Sequence, residues 1–135
     1  MKSGRILEWL AIAAIAFGVL TVLSGGRALF SGMEARAELG NIVPFVLWFN
    51  FLAGFVYVLA GATLLLAKPR AAPLALFLAV STILVFLAFA VHIAAGGAFE
   101  ARTAGAMSLR SLFWIAVAFV ALRAKKAPAV VSNPR

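Results

Sequence analysis

Residues 61–80 read GATLLLAKPRAAPLALFLAV. An apolar run stops at Lys68-Pro69-Arg70, and a second begins at Pro73. Proline has no amide to give an interior helical turn but is tolerated in a first turn, so this segment ends one helix and opens the next. So short a connection makes its neighbours antiparallel. The flanking runs are predicted to be helices over about 43–67 and 73–95. Each has the roughly 20 apolar residues needed to cross a hydrocarbon core of about 30 Å.

Two further runs of the same kind lie at about 6–24 and 104–122. None alternates with a period of two, which excludes a closed membrane barrel. The whole chain of 135 residues is 65% hydrophobic and 12% charged, whereas soluble domains are about one quarter charged. The fold class is therefore all-α, an integral membrane four-helix bundle in up-down-up-down order. One domain covers 1–123, and 124–135, with Pro128 and Pro134, is read as a disordered cytoplasmic tail. Lys2 and Arg5 before the first run and Ser24-Gly25-Gly26 after it give it the outline of a signal peptide. It exceeds the usual 7 to 15 residues and contains Glu8, so it is read as a span.

Charge sets the expected orientation. Eight of the twelve cations (Lys2, Arg5, Lys68, Arg70, Arg123, Lys125, Lys126, Arg135) fall on the side of the termini and the Lys68–Arg70 turn. Arg27, Arg36, Arg102 and Arg110 fall on the other, with Glu34, Glu38 and Glu100. The positive-inside rule places both termini in the cytoplasm. The net charge of +8 is thus a topological signal and an anchor to anionic lipid. It lacks the aromatic interleaving that single-stranded nucleic acid requires, so the expected partners are the lipid bilayer and other membrane subunits, and no nucleic acid. The absence of cysteine excludes disulfides, thiolate metal sites and dithiol relays.

In the first outer loop, Ser31 and Glu34 have the spacing of a capping box, and Gly40 suits a helix end. A short helix over Gly32–Leu39 is expected at the outer surface. Helices in lipid associate through close contact of small residues, which Ala11, Ala14 and Gly18 supply on the first span and Gly54 and Gly61 on the second.

The polar residues of the outer third carry what functional signal there is. At about 1.5 Å per residue, Arg110 lies roughly 20 Å from Arg123 along the last helix, where a guanidinium costs about 2.5 to 3.5 kcal/mol unless it is paired or wet. Ser108 could cap a shorter helix and leave Arg110 in the first turn, but a cation there opposes the helix dipole. A start near Thr103 instead puts Thr103, Met107, Arg110 and Trp114 on one face. His92 and Asn50 enter the same level from the third and second spans. Only Glu34, Glu38 and Glu100 can neutralise Arg110, Arg102 and Arg36. The expectation is a network joining Arg110 to one of these glutamates, with His92 and Asn50 bonded into it.

Three readings compete for the cluster. It is a structural clasp pinning the outer loops, or a pocket for a small ligand or quinone-like head group, or a metal site from His92 and the glutamates. In the second, Arg110 and His92 are donors and Trp48, Trp114, Tyr57 and Met107 are walls, while Trp9 is better read as an interface anchor. One imidazole with scattered carboxylates matches no metal-ligand spacing, so no metal ligands are assigned. Ser81, Thr82 and Thr63 are the only polar residues continuing toward the cytoplasm, too few for a proton path. Asp is absent, and there is no Ser-His-Asp set, phosphate loop or dinucleotide glycine pattern, so no catalytic residue is named and an enzyme is not favoured. No cofactor is demanded; a quinone is the candidate.

The residues Gly26-Arg27-Ala28-Leu29-Phe30-Ser31-Gly32, then Val43-Pro44, then FVYVLAGATLLL over 55–66 resemble the first half of DoxX-type bacterial membrane proteins. That resemblance implies a compact four-helix bundle of the bacterial inner membrane. Some members of the family serve in oxidoreductase systems that pass electrons to quinone. Where the family often has an acid on the second helix, this chain has Tyr57. The reading is an accessory or small-ligand/quinone-binding subunit, the alternative being a purely structural or interaction subunit.

Overall fold

The computed structural model describes residues 2–30, 32–33, 37, 40–66 and 68–126. Its helices in chain order are α1 (Lys2–Phe30), α2 (Pro44–Leu65), α3 (Ala71–Ala94) and α4 (Ala101–Lys126). All four are long and apolar enough to cross a membrane, and no strand occurs among the described residues. α1 packs on α2, α2 on α3, α3 on α4 and α4 back on α1, while diagonal pairs do not meet at backbone distance among the described residues. The molecule is a four-helix, multi-pass bundle in up-down-up-down order. Its near end holds the chain's start, the Lys68–Arg70 turn and the end of α4; its far end holds the two other connections.

The bundle is built for lipid. Leu20, Leu23, Leu59, Leu84, Leu112 and Phe119 are each more than half exposed, a surface that water would not tolerate. Much of the interior is alanine: Ala11, Ala14, Ala53, Ala60, Ala75 and Ala79 are buried. On α1 the small face runs through Ala11, Ala14, Gly18, Thr21, Gly25 and Ala28, three and four residues apart and all buried. That spacing draws a straight seam along one helix face. α2 meets it with glycines of its own. A β-carbon on Gly18 would lie 2.7 Å from the Gly54 carbonyl oxygen, and one on Gly61 would lie 2.7 Å from that of Ala11. Backbone therefore touches backbone twice in one antiparallel register, and α1–α2 is the most intimate pair in the bundle.

The helix ends differ from expectation in instructive ways. α1 continues past Ser24 to Phe30. Gly25 and Gly26 do not stop it, because Gly25 is a contact point: a β-carbon there would lie 3.1 Å from that of Phe51. α3 begins at Ala71, so Pro73 sits in its first turn, where its missing amide has no partner to lose. α4 begins at Ala101 and reaches Lys126, taking in the start of the segment read as a tail; 127–135 lie outside the described residues. In the first far-end connection, Met33 and Ala37 have helical backbone. Gly40 has φ +78° and its amide donates to the Ala37 carbonyl at 3.2 Å, the conformation of a glycine that closes a helix. The Ser31–Glu34 capping box, and with it most of the expected short helix, lies outside the described residues.

Candidate functional site

α4 points the Thr103, Met107, Arg110, Trp114 face inward. Met107 and Trp114 are fully buried, and Arg110 is 9% exposed. Arg110 sits nine residues, or roughly 14 Å, in from Ala101 at the far end. Its Nη2 donates to Thr21 Oγ1 at 3.2 Å, and its guanidinium carbon lies 5.2 Å from the centre of the Phe17 ring. Its Nε is buried without a hydrogen-bond partner.

The expected network does not form among the described residues. Glu100 immediately precedes the same helix, ten residues before Arg110 and about 15 Å away along the axis, which is beyond reach. Its Oε2 instead accepts the Asn41 backbone amide at 2.8 Å and the Asn41 side-chain amide at 3.1 Å. The φ of +78° at Gly40 favours glycine, and the missing β-carbon leaves room for the Glu100 carboxylate beside it. Glu34 and Glu38 lie outside the described residues. His92 is elsewhere too. Its Nε2 donates to the Ala98 carbonyl at 2.9 Å, its ring stacks on Phe89 at 14° between planes, and it meets Phe45 edge-on. It closes the end of α3 onto the following connection.

Glu100 and Asn41 thus tie the two far-end connections together. Replacing Glu100 by Gln keeps one acceptor but removes the charge from both bonds. Amide exchange at Asn41 is expected to speed roughly five-fold, about 1 kcal/mol, with global unfolding unchanged; residue-resolved hydrogen exchange measures both.

Arg110 opens instead onto a cavity of about 300 Å³, the small end of the range for ligand sites. α1 contributes Thr21 and Ser24, the approach to and start of α2 contribute Asn41 and Asn50, and α4 contributes Arg102 and Arg110. The cavity lies where α1 faces α4, the neighbouring pair with the least contact. No carboxylate lines it among the described residues. Asn50 Oδ1 is buried and unpartnered. A hollow of about 490 Å³ at the near end is larger, but its charged lining groups, Glu8 and Lys68, are exposed, so no fixed polar group there would orient a ligand.

Arg110, Arg102 and Asn50 are therefore brought together, while His92 and Glu100 are not. The expected walls are also displaced. Trp48 is 45% exposed and packs edge-on against Phe30 and Phe51 on the outside. Tyr57 and Trp114 fill the centre, their rings 5.0 Å apart, and Met107 is buried with Val43, Val46 and Phe89. An alanine-lined interior needs these large side chains to fill it, which takes them away from the cavity. The Tyr57 side chain faces Arg110, Trp114 and Thr82, yet its hydroxyl, Thr82 Oγ1, Ser111 Oγ and Trp114 Nε1 complete no hydrogen bond of good geometry. Ser81 and Thr63 bond to carbonyls of their own helices. Thr21, the one hydrogen-bond partner of Arg110 given by the structure, was missed from the sequence. Its signal was the three-four spacing of Ala11, Ala14 and Gly18, which extends directly to Thr21.

Among the described residues no three His, Cys, Asp or Glu side chains cluster as metal ligands. The chain matches no protein-family profile, no curated protein and no solved structure.

Proposed function

We propose that the protein binds a small lipophilic molecule by its polar head in the far-end cavity, as an accessory subunit of a bacterial inner-membrane system. A quinone-like ring is the first candidate. One observation carries the reading: Arg110 is nine-tenths buried, meets only neutral described groups, and lines a cavity beside the unpartnered carbonyl of Asn50. A guanidinium at that depth costs about 2.5 to 3.5 kcal/mol, so intramembrane cations usually mark a ligand or ion site. With eight of twelve cations on the near side, the positive-inside rule makes that end cytoplasmic and the cavity external. The resemblance to DoxX-type proteins, some of which serve quinone-linked systems, supports the same choice.

A second reading, a structural or interaction subunit, is favoured by the Glu100–Asn41 and His92–Ala98 bonds, which clasp the far end without any ligand. The two separate experimentally. Protein purified in mild detergent is extracted with solvent and the extract analysed by absorbance and mass spectrometry. The binding reading expects an amphiphile in near-stoichiometric amount from the wild type and none from folded Arg110→Met. Extracts that match in both, with bulk lipid alone, favour the clasp.

A further inference from the structure

We infer that the head group held at Arg110 is an anion, a carboxylate or a phosphate; this rests on the ligand-binding reading and narrows it. Among the described residues the neighbours of the guanidinium are the Thr21 hydroxyl, the face of Phe17 and the Tyr57 side chain, all neutral. They satisfy one donor and soften the desolvation, but they leave a full positive charge inside the bundle. A neutral carbonyl would take up Nε and still leave that charge. An anion does both, and with charge-assisted bonds about twice as strong as neutral ones.

The rest of the cavity has the same bias. Arg102 lines it eight residues before Arg110, about 12 Å nearer the far end, so cations stand toward the mouth and at the depth of one passage. Asn41 and Asn50 also line the wall: the Asn41 side-chain amide already donates to Glu100, and the buried, unpartnered Asn50 Oδ1 is an acceptor that a hydroxyl of the head group, rather than the anion itself, would satisfy. No acid faces the space among the described residues, and Glu100, the described acid at that end, is engaged by Asn41. At about 300 Å³ the cavity fits a head group and the first part of a chain rather than a whole lipid. The anion is therefore either the head of an acyl amphiphile or a free anion from the aqueous side.

The test uses the full chain in phosphatidylcholine nanodiscs, with thermal unfolding midpoint and native mass spectrometry as readouts. The probes are phosphatidylglycerol, oleate, inorganic phosphate and decyl-ubiquinone. Phosphatidylglycerol or oleate is expected to raise the wild-type midpoint by several degrees and to bind about ten-fold more weakly to Arg110→Lys, which keeps the charge and loses the planar fork. Arg110→Met is expected to lose the effect. Arg102→Gln is expected to weaken the anions several-fold and leave decyl-ubiquinone unchanged, a selective loss that a general loss of fold would not give. Stabilisation by phosphatidylglycerol or oleate alone supports a lipid anion, and stabilisation by inorganic phosphate supports a soluble one. Decyl-ubiquinone binding the wild type as tightly as the anions overturns the inference and leaves the ligand-binding reading standing. Binding of none of the four probes overturns it too, while the solvent extract decides the broader reading separately.

Discussion

Gly61→Leu is expected to break the bundle at its tightest seam. Even a β-carbon at Gly61 would lie 2.7 Å from the Ala11 carbonyl oxygen and 3.1 Å from the Ile15 amide nitrogen. Both are backbone atoms of α1 and cannot rotate aside, so the helices must separate. Separation costs the neighbouring Gly18–Gly54 contact as well. Overpacking normally destabilises by about 1 to 3 kcal/mol, and a clash with two helix backbones belongs at or above the top of that range. With total stabilities of about 5 to 15 kcal/mol, a loss of about 3 kcal/mol removes between roughly one fifth and three fifths of the folding free energy. Gly105→Ala is the control: nothing lies within 4 Å of its β-position, and alanine at an exposed helical site is expected to be neutral or to stabilise by up to about 1 kcal/mol. Reversible unfolding in mixed micelles, followed by tryptophan fluorescence, compares the two.

The second large effect is at Arg110, and its sign is the informative part. Were Arg110 half of a buried ion pair, its removal would strand a carboxylate and destabilise by about 3 to 5 kcal/mol. Among the described residues its removal leaves only neutral groups behind, the Thr21 hydroxyl, which can turn to a carbonyl of its own helix, and the Tyr57 side chain. Methionine matches much of the arginine stem and carries no charge into the hydrocarbon layer, relieving part of the roughly 2.5 to 3.5 kcal/mol that a guanidinium costs there. Ligand-free Arg110→Met is therefore expected to be as stable as the wild type or more stable by about 1 to 2 kcal/mol. Its ligand affinity is expected to fall at least about 100-fold, the loss of charge-assisted bonds worth roughly 3 kcal/mol.

The bundle was legible because its determinants are local. Apolar runs of spanning length, with Lys68-Pro69-Arg70 between the second and third, leave few other arrangements. Spacing alone also turned Arg110 inward, since Thr103, Met107, Arg110 and Trp114 share a face at any rotation of their neighbours. The partners were not legible. Which side chain meets Arg110 depends on how α1 is rotated about its axis, and that is set by the glycine contacts Gly18–Gly54 and Ala11–Gly61 rather than by charge. Attraction between opposite charges pointed to Glu34, Glu38 or Glu100; chain geometry puts the Glu100 carboxylate about 15 Å away along the axis of α4, and Glu34 and Glu38 lie outside the described residues. His92 was grouped with Arg110 by depth alone; the cavity is bounded by α1, α2 and α4, while His92 stands on α3. Tyr57 and Trp114 suit a wall or a core equally well by composition, and an interior otherwise rich in alanine claimed them for the core.

The most direct test is the unfolding free energy of wild type and Arg110→Met, each stripped of bound amphiphile and measured in the same neutral mixed micelles. The variant is expected to equal or exceed the wild type. A loss of about 3 kcal/mol or more would show that Arg110 is held by a carboxylate within the chain, and that the far-end cavity is not built around an unneutralised cation.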